Sequence, residues 1–210
     1  MIDDINYEEF DALQAVADLM KICSLVDKSS SIINHIRSFS RKGSVSKKMV
    51  DLNTIILNAI ELINPQLKKN DIDILFTLDE TIPEIFGDSI SLEQLIINII
   101  LNSRDAIVEK QITANEYRGQ IRITTNPGGT AVRMTIEDNG PGIPEDIQPK
   151  IWSPFFTSKK RNNGTGIGLS ICNKILKDHQ AEVNLQSDSE GTVFIFDFPV
   201  KVERRSRPRD

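Results

Sequence analysis

Residues 7–41 run for 35 positions without a Pro or a Gly. Apolar residues recur along them at helical spacing: Leu13, Val16, Ala17, Met20 and Cys23, then Leu25 or Val26, and again Ile32, Ile33, Ile36 and Phe39. As one helix this stretch would measure about 52 Å at 1.5 Å per residue. A small domain cannot cover an apolar stripe of that length. The pattern predicts a chain in two parts, one of them a long helix that needs a second helix beside it in a hairpin or a dimeric bundle. The polar patch Asp27–Ser31 leaves two shorter helices as the other reading. Gly43 ends the pattern. Arg37, Arg41, Lys42, Lys47 and Lys48 then form a basic linker without an acid. We place the boundary at residue 49, giving residues 1–48 as helix and linker, 49–200 as a folded domain, and 201–210 as a flexible basic tail.

The second part reads as α+β. Asp51 is placed to cap a helix over Leu52–Lys69. Ile72–Leu78 alternates as a strand, and Ile85-Phe86 suits a short one. Gly87-Asp88-Ser89 precedes an amphipathic helix over Ser91–Glu109, which buries Leu92, Leu95, Ile96, Ile99, Ile100 and Ala106. Ile121–Thr125 and Val132–Glu137 alternate around Asn126-Pro-Gly-Gly, a hairpin signal. Asp138–Thr165 follows with three Gly, four Pro and the single Trp, a loop of a length that usually has a function. A helix over Gly166–Asp178 and strands over Val183–Gln186 and Val193–Phe198 close the domain.

Composition narrows the function classes. Hydrophobic residues make up 39%, enough for a core. A net charge of −5 argues against a nucleic-acid partner. No apolar run reaches the length of a membrane span, and the acidic start lacks the pattern of a signal peptide. Cys23 and Cys172 lie far apart without ligand spacing. They read as small buried hydrophobes in a reducing compartment.

Four segments carry chemistry. Asn98 and Asn102 stand four apart on the Ser91–Glu109 helix, with Asp105 three further on, all in one direction. Asn is a poor residue inside a helix, and its amide oxygen suits a hard cation such as Mg²⁺ without adding charge beside a phosphate. An Asn pair on a wet helix face is the plainer reading. Asp138-Asn-Gly-Pro-Gly follows a strand directly. Gly140 and Gly142 permit a close approach of backbone to ligand, and Asp138 can accept from an exocyclic amine; an ordinary acidic turn has the same composition. Gly164-Thr-Gly-Ile-Gly leads into a helix and makes a cradle of N–H groups for phosphate. It is neither a dinucleotide fingerprint nor a Walker loop. In Trp152-Ser-Pro-Phe-Phe-Thr-Ser-Lys159 the aromatics can pin a mobile segment, and Lys159 can reach a phosphate; a solvated basic loop is the alternative.

Taken in order, these segments resemble the histidine-kinase branch of the ATPase superfamily that also holds gyrase and MutL. Asn98 and Asn102 look like its N box, Asp138–Gly142 its first glycine box, Trp152–Lys159 its F box and Gly164–Gly168 its second glycine box. The resemblance spans about residues 50–199. It implies a two-layer α/β sandwich with helices on one face of a mixed sheet, preceded by the second helix of a dimerisation hairpin. It implies ATP and Mg²⁺ as cofactors. By position, Asn102 would hold Mg²⁺, with Asn98 supporting phosphates or metal. Asp138 would bind the adenine N6 amine, with Thr192 near the ring. Gly140 and Gly142 would shape the adenine pocket, and Gly166 and Gly168 would face the phosphates. Lys159 would be a lid contact. Asp105, Ile143, Phe156, Thr157, Gly164, Thr165, Ile167 and Leu169 complete the nucleotide-binding set. Ser103 stands where Ala is commoner, a change expected to be harmless.

Superfamily members that hydrolyse ATP place a Glu four residues before the metal Asn. Here that position is Asn98, and an amide is no base. Transfer to a protein histidine is therefore expected, followed by relay to a response-regulator receiver domain, from a homodimer in the intact protein. The acceptor is expected to lie outside this chain. His35 lacks the following acid and Pro of the acceptor signature, and His179 suits a helix C-terminal position. The resemblance implies a cytoplasmic domain of a bacterial sensor, reaching a membrane only through an upstream region. Two other readings stand beside it. One is a Ser/Thr kinase of the anti-sigma type, against which the long leading helix counts. The other is a nucleotide-gated dimerisation module without phosphate transfer.

Overall fold

The computed structural model describes residues 14–16, 18, 19, 22, 47–114, 117–158 and 165–200. The chain divides into two units, Met1–Gly43 and Ser44–Asp210. The described residues of the first unit are helical. Gln14 Nε2 donates to Asp18 Oδ1 one turn on, at 3.3 Å, and Val16, Leu19 and Ile22 are exposed. The rest of the expected long helix, including His35, and the expected tail lie outside the described residues.

The second unit runs β1 (Lys48–Val50), α1 (Leu52–Lys69), β2 (Ile72–Leu78), β3 (Ile85–Gly87), α2 (Ser89–Thr113), β4 (Gly119–Pro127), β5 (Ala131–Asp138), a 3₁₀ turn (Gln148–Lys150), α3 (Gly168–Asp178), β6 (Glu182–Asp188) and β7 (Gly191–Pro199). Five strands form one mixed sheet in the order β2-β4-β5-β7-β6. β2 and β4 are parallel, and the other pairs are antiparallel. Alternation decides which face is covered. Ile121 and Ile123 of β4, Val132, Met134 and Ile136 of β5, and Phe194, Phe196 and Phe198 of β7 are buried on one side. The helices lie against that side, α1 on β2, α2 on β4 and β5, and α3 on β6. This is the two-layer sandwich expected from the sequence. Among the described residues no helix is long and apolar enough to cross a membrane.

Helix starts follow their caps. Asp51 accepts from the N–H groups of Asn53 (3.0 Å) and Thr54 (3.3 Å). Asp88 accepts from those of Ile90 (3.3 Å) and Ser91 (3.1 Å). The second cap sets the start of α2 at Ser89, earlier than the apolar pattern alone indicated. β1 was not foreseen. Three residues carry too little alternation to show, and the strand exists through its pairing with β3, Met49 opposite Phe86. Ala106, expected to be buried, is only half-buried.

Candidate functional site

α2 is the central helix, packed between α1 and α3. Its buried ridge of Leu92, Leu95, Ile96, Ile99, Ile100, Ser103 and Ile107 faces the core. A second row, Asn98, Asn102, Ala106 and Lys110, repeats every four residues and lies along one side of the cylinder. Asn98 Nδ2 donates to Gly168 O at 3.5 Å, where α3 begins. Asn102 Nδ2 is buried and has no partner. A buried polar group without a partner is costly, and one in a native site calls for an explanation. The oxygen and nitrogen of an amide exchange by a flip, so Asn102 can equally present its oxygen there. Its chemistry fits a hard cation that also takes phosphate oxygens. No group of three or more His, Cys, Asp or Glu among the described residues could hold a metal instead.

Asp138 ends β5 opposite Thr192 of β7 and is buried. Its Oδ2 accepts from Ser103 Oγ at 2.7 Å, and its Oδ1 from the Gly140 N–H at 2.9 Å. Burial raises its carboxyl above the ordinary range. The Ser103 hydroxyl, the Gly140 and Thr192 N–H groups and the Lys110 charge oppose that rise. Ser103 is therefore not an idle replacement: it solvates the one buried carboxylate of the site.

The turns around Asp138 require glycine. Gly142 has φ +77°, and a Cβ there would fall 1.7 Å from Asp188 O. A Cβ on Gly191 would fall 1.9 Å from Asp138 O. Gly140 lies over Ala106, whose half-exposure follows from having only a glycine above it. Ser187 joins these turns. Its Oγ accepts from the Ile143 N–H (2.8 Å), donates to Gly191 O (3.0 Å) and lies 3.0 Å from Thr192 Oγ1.

At the other end, Gly166 (φ +65°) packs against Phe155, where a Cβ would meet the carbonyl carbon at 2.5 Å. α3 follows with Ile167 at its N-cap and no side-chain cap. The N-termini of α1 and α2 are closed by Asp51 and Asp88, whereas that of α3 keeps its N–H groups for another acceptor. Trp152 meets Phe194 edge-on at 5.9 Å, so the segment after β5 is pinned to β7. Phe156, Ile143, Ile167 and Leu169 pack against the core, Thr165 and Gly168 are half-buried, and Thr157 is exposed. Lys159 and Gly164 lie outside the described residues.

Two residues differ from expectation or add to it. Asp105 accepts from Arg104 Nε (2.9 Å) and Nη2 (2.6 Å), and that guanidinium donates to Gln66 of α1 at 2.6 Å. This carboxylate is thus engaged at the seam between α1 and α2. His179 takes the helix C-terminal position expected of it, as the C-cap of α3, and its surroundings add to that reading. It is buried, its Nδ1 lies 2.8 Å from Ile175 O, and its Nε2 accepts from the Asp88 N–H at 3.0 Å. Burial depresses its pKa, and the accepting Nε2 makes it a neutral ring. Sequence reasoning missed Ser187 and Lys110. The fourfold spacing from Asn98 was the available signal for Lys110, while Ser187 becomes visible only once β6 is paired with β7.

A sandwich with an Asn-bearing central helix, a buried Asp at a strand end and an uncapped glycine-led helix defines a class of nucleotide-binding ATPase domain. Residues 87–202 match the family described as histidine kinase-, DNA gyrase B-, and HSP90-like ATPase, and the chain belongs to it. Among its relatives is the sensor histidine kinase ZraS of Escherichia coli K12, 28% identical over 180 residues, covering 85% of this chain and 37% of ZraS. The catalytic domain of histidine kinase ThkA is 35% identical with a TM-score of 0.64, covering 73% of this chain and 95% of that one. ThkA in complex with response regulator protein TrrA is 28% identical with a TM-score of 0.72, covering 94% of this chain and 54% of that one. The chain spans little more than a third of the length of ZraS.

Proposed function

We propose that this chain binds ATP with Mg²⁺ and transfers the γ-phosphoryl group to a histidine on a dimerisation hairpin, for relay to a response-regulator aspartate. The observation that carries the reading is the buried, unpartnered Asn102 amide, four residues from an Asn98 that donates toward the uncapped start of α3. In this reading Asp138 accepts from the adenine N6 amine, and Thr192 lies beside the ring. Gly140, Gly142 and Ile143 wall the base. The N–H groups of Gly166–Leu169 receive phosphate oxygens, and Lys159 is a lid contact of the nucleotide. Asn102 holds the metal through its amide oxygen, and Asn98 orients the phosphates. Mg²⁺, when bound, neutralises charge on the transferring phosphoryl group. No carboxylate stands at position 98 to take a proton from water. The neutral imidazole of an acceptor histidine needs no such base near pH 7, so alignment is the work left to the protein. A homodimer and a receiver-domain partner belong to the same proposal, and the ThkA–TrrA complex supports the second of them.

Calorimetric titration of ATP with and without Mg²⁺ tests the site. Asp138→Asn is expected to weaken binding by roughly 10- to 100-fold, the worth of one hydrogen bond to a charged group. Asn102→Asp is expected to change the metal dependence. Radiolabel transfer from ATP to a supplied histidine hairpin tests the reaction. ATP binding without transfer to any hairpin would favour the nucleotide-gated module, and steady phosphate release by this chain alone would overturn the role given to Asn98.

A further inference from the structure

Lys110 ends the fourfold row on α2 that begins at Asn98. At 1.5 Å per residue the row is about 18 Å long, so its two ends serve different parts of the site. The Asn98 end lies at the start of α3. The Lys110 end lies against two turns. Its Nζ donates to Asn139 O (3.1 Å), Gly140 O (3.0 Å) and Ser189 O (3.5 Å), and it sits 4.9 Å over the Tyr117 ring. Tyr117 Oη donates to the same Asn139 oxygen. An ammonium has three donors, and here three main-chain carbonyls receive them. Two of these belong to the turn after β5 and one to the turn between β6 and β7.

The geometry of the peptide group gives these contacts a consequence. The Asn139 carbonyl and the Gly140 N–H belong to one rigid plane and point in opposite directions. Lys110 and Tyr117 grip the carbonyl side. The N–H side donates to Asp138 Oδ1 at 2.9 Å. Fixing and polarising the carbonyl therefore aims and strengthens the donor that holds Asp138. The contact with Ser189 ties in the turn that delivers Gly191 and Thr192 to the other side of the same carboxylate.

We propose that Lys110 is a positioning residue for base recognition: through the Asn139–Gly140 peptide and the Ser189 turn it sets the Asp138 carboxylate for an exocyclic amine. The proposal rests on the reading of Asp138 as the adenine contact. A residue that merely holds the fold would weaken all nucleotides alike, whereas one that sets Asp138 acts on the base.

The test is calorimetric titration of the whole chain with Mg-ATP and Mg-GTP, for the unmodified protein and for Asp138→Asn, Lys110→Met and Lys110→Arg. Thermal melting confirms that each is folded. The unmodified protein is expected to prefer ATP by at least about tenfold, the worth of a base-edge contact. Lys110→Met, which keeps the stem and removes the donors, is expected to lose most of that preference, with GTP affinity unchanged. Lys110→Arg is expected to restore part of it. An unchanged ATP/GTP ratio in folded Lys110→Met, beside a collapsed ratio in Asp138→Asn, would overturn the proposal and leave the adenine reading standing. Equal weakening of both nucleotides would overturn it too. An unmodified protein without preference for ATP would sink the adenine reading first and this proposal with it. Should Lys110→Met fail to fold, Lys110→Gln is read in the same way.

Discussion

At Asp138 a carboxylate is taken out of water, and burial raises its pKa against the donors set around it. Ser103 supplies one of them at 2.7 Å. Ser103→Ala is therefore expected to move the acid limb of ATP binding upward in pH, because a donor to the ionised form is lost. ATP titrations between pH 4 and 8 would show it, and coincident limbs for the two proteins would refute the role. Cys172 makes a parallel case. It is wholly buried, and burial pushes its thiol up to about 12. It is expected to resist alkylation in the native state and to react on unfolding, which mass spectrometry resolved by site would read apart from Cys23. The acid and the glycines at the site could be read from the sequence, because a turn that needs positive φ or a close approach leaves few choices of residue. The donors could not. Ser103 looks like an Ala that gained an oxygen, and Lys110 like one more charge on a helix face. Only the pairing of β5 with β7 and the packing of α2 beneath them show what either touches.

Individual elements were legible where they satisfy their own ends. The spans of α1 and β2 agree with the sequence pattern residue for residue, since Asp51 caps the one and an apolar, β-branched and aromatic run bounded by polar residues marks the other. α2 begins earlier than its apolar stripe because Asp88, not the stripe, fixes its first turn. Replacing that cap is expected to be felt across the site, because α2 carries the whole Asn98–Lys110 row. Asp88→Ala should cost about 1–2 kcal/mol in urea unfolding, and Asp88→Asn, which keeps an accepting oxygen, much less. Equal losses in the two variants would point to the charge instead of the cap. β1 shows the limit of such reading: three residues become a strand because β3 lies beside them.

Across the whole unit, His179 links the end of α3 to the start of α2 through the Asp88 N–H. Its pKa in the folded state is depressed. Above pH ~6.5 the ring is neutral whether the chain is folded or not, and this contribution to stability is fully present. As pH falls below that value the unfolded chain takes up a proton that the folded chain refuses, so stability drops until the folded pKa is passed. Denaturant titrations at pH 5 and 7 are expected to show this loss, and His179→Gln to flatten it; equal slopes in the two proteins would assign the acid sensitivity to another group. The sheet joins sequence neighbours only in its two hairpins, β4–β5 and β6–β7. Its remaining pairings, β2–β4 and β5–β7, close over long stretches, and those stretches contain α2, the glycine turns and α3. During synthesis Asp138 leaves the ribosome more than fifty residues ahead of Thr192, its partner in register. Until β7 arrives Asp138 has a strand on one side only, at Ile121 of β4, and the turn bearing Ser189 and Gly191 does not exist. In the proposed reading the nucleotide site is thus completed only once β7 has emerged, and a ribosome stalled short of residue 191 carries the helix row without the strand that completes the site.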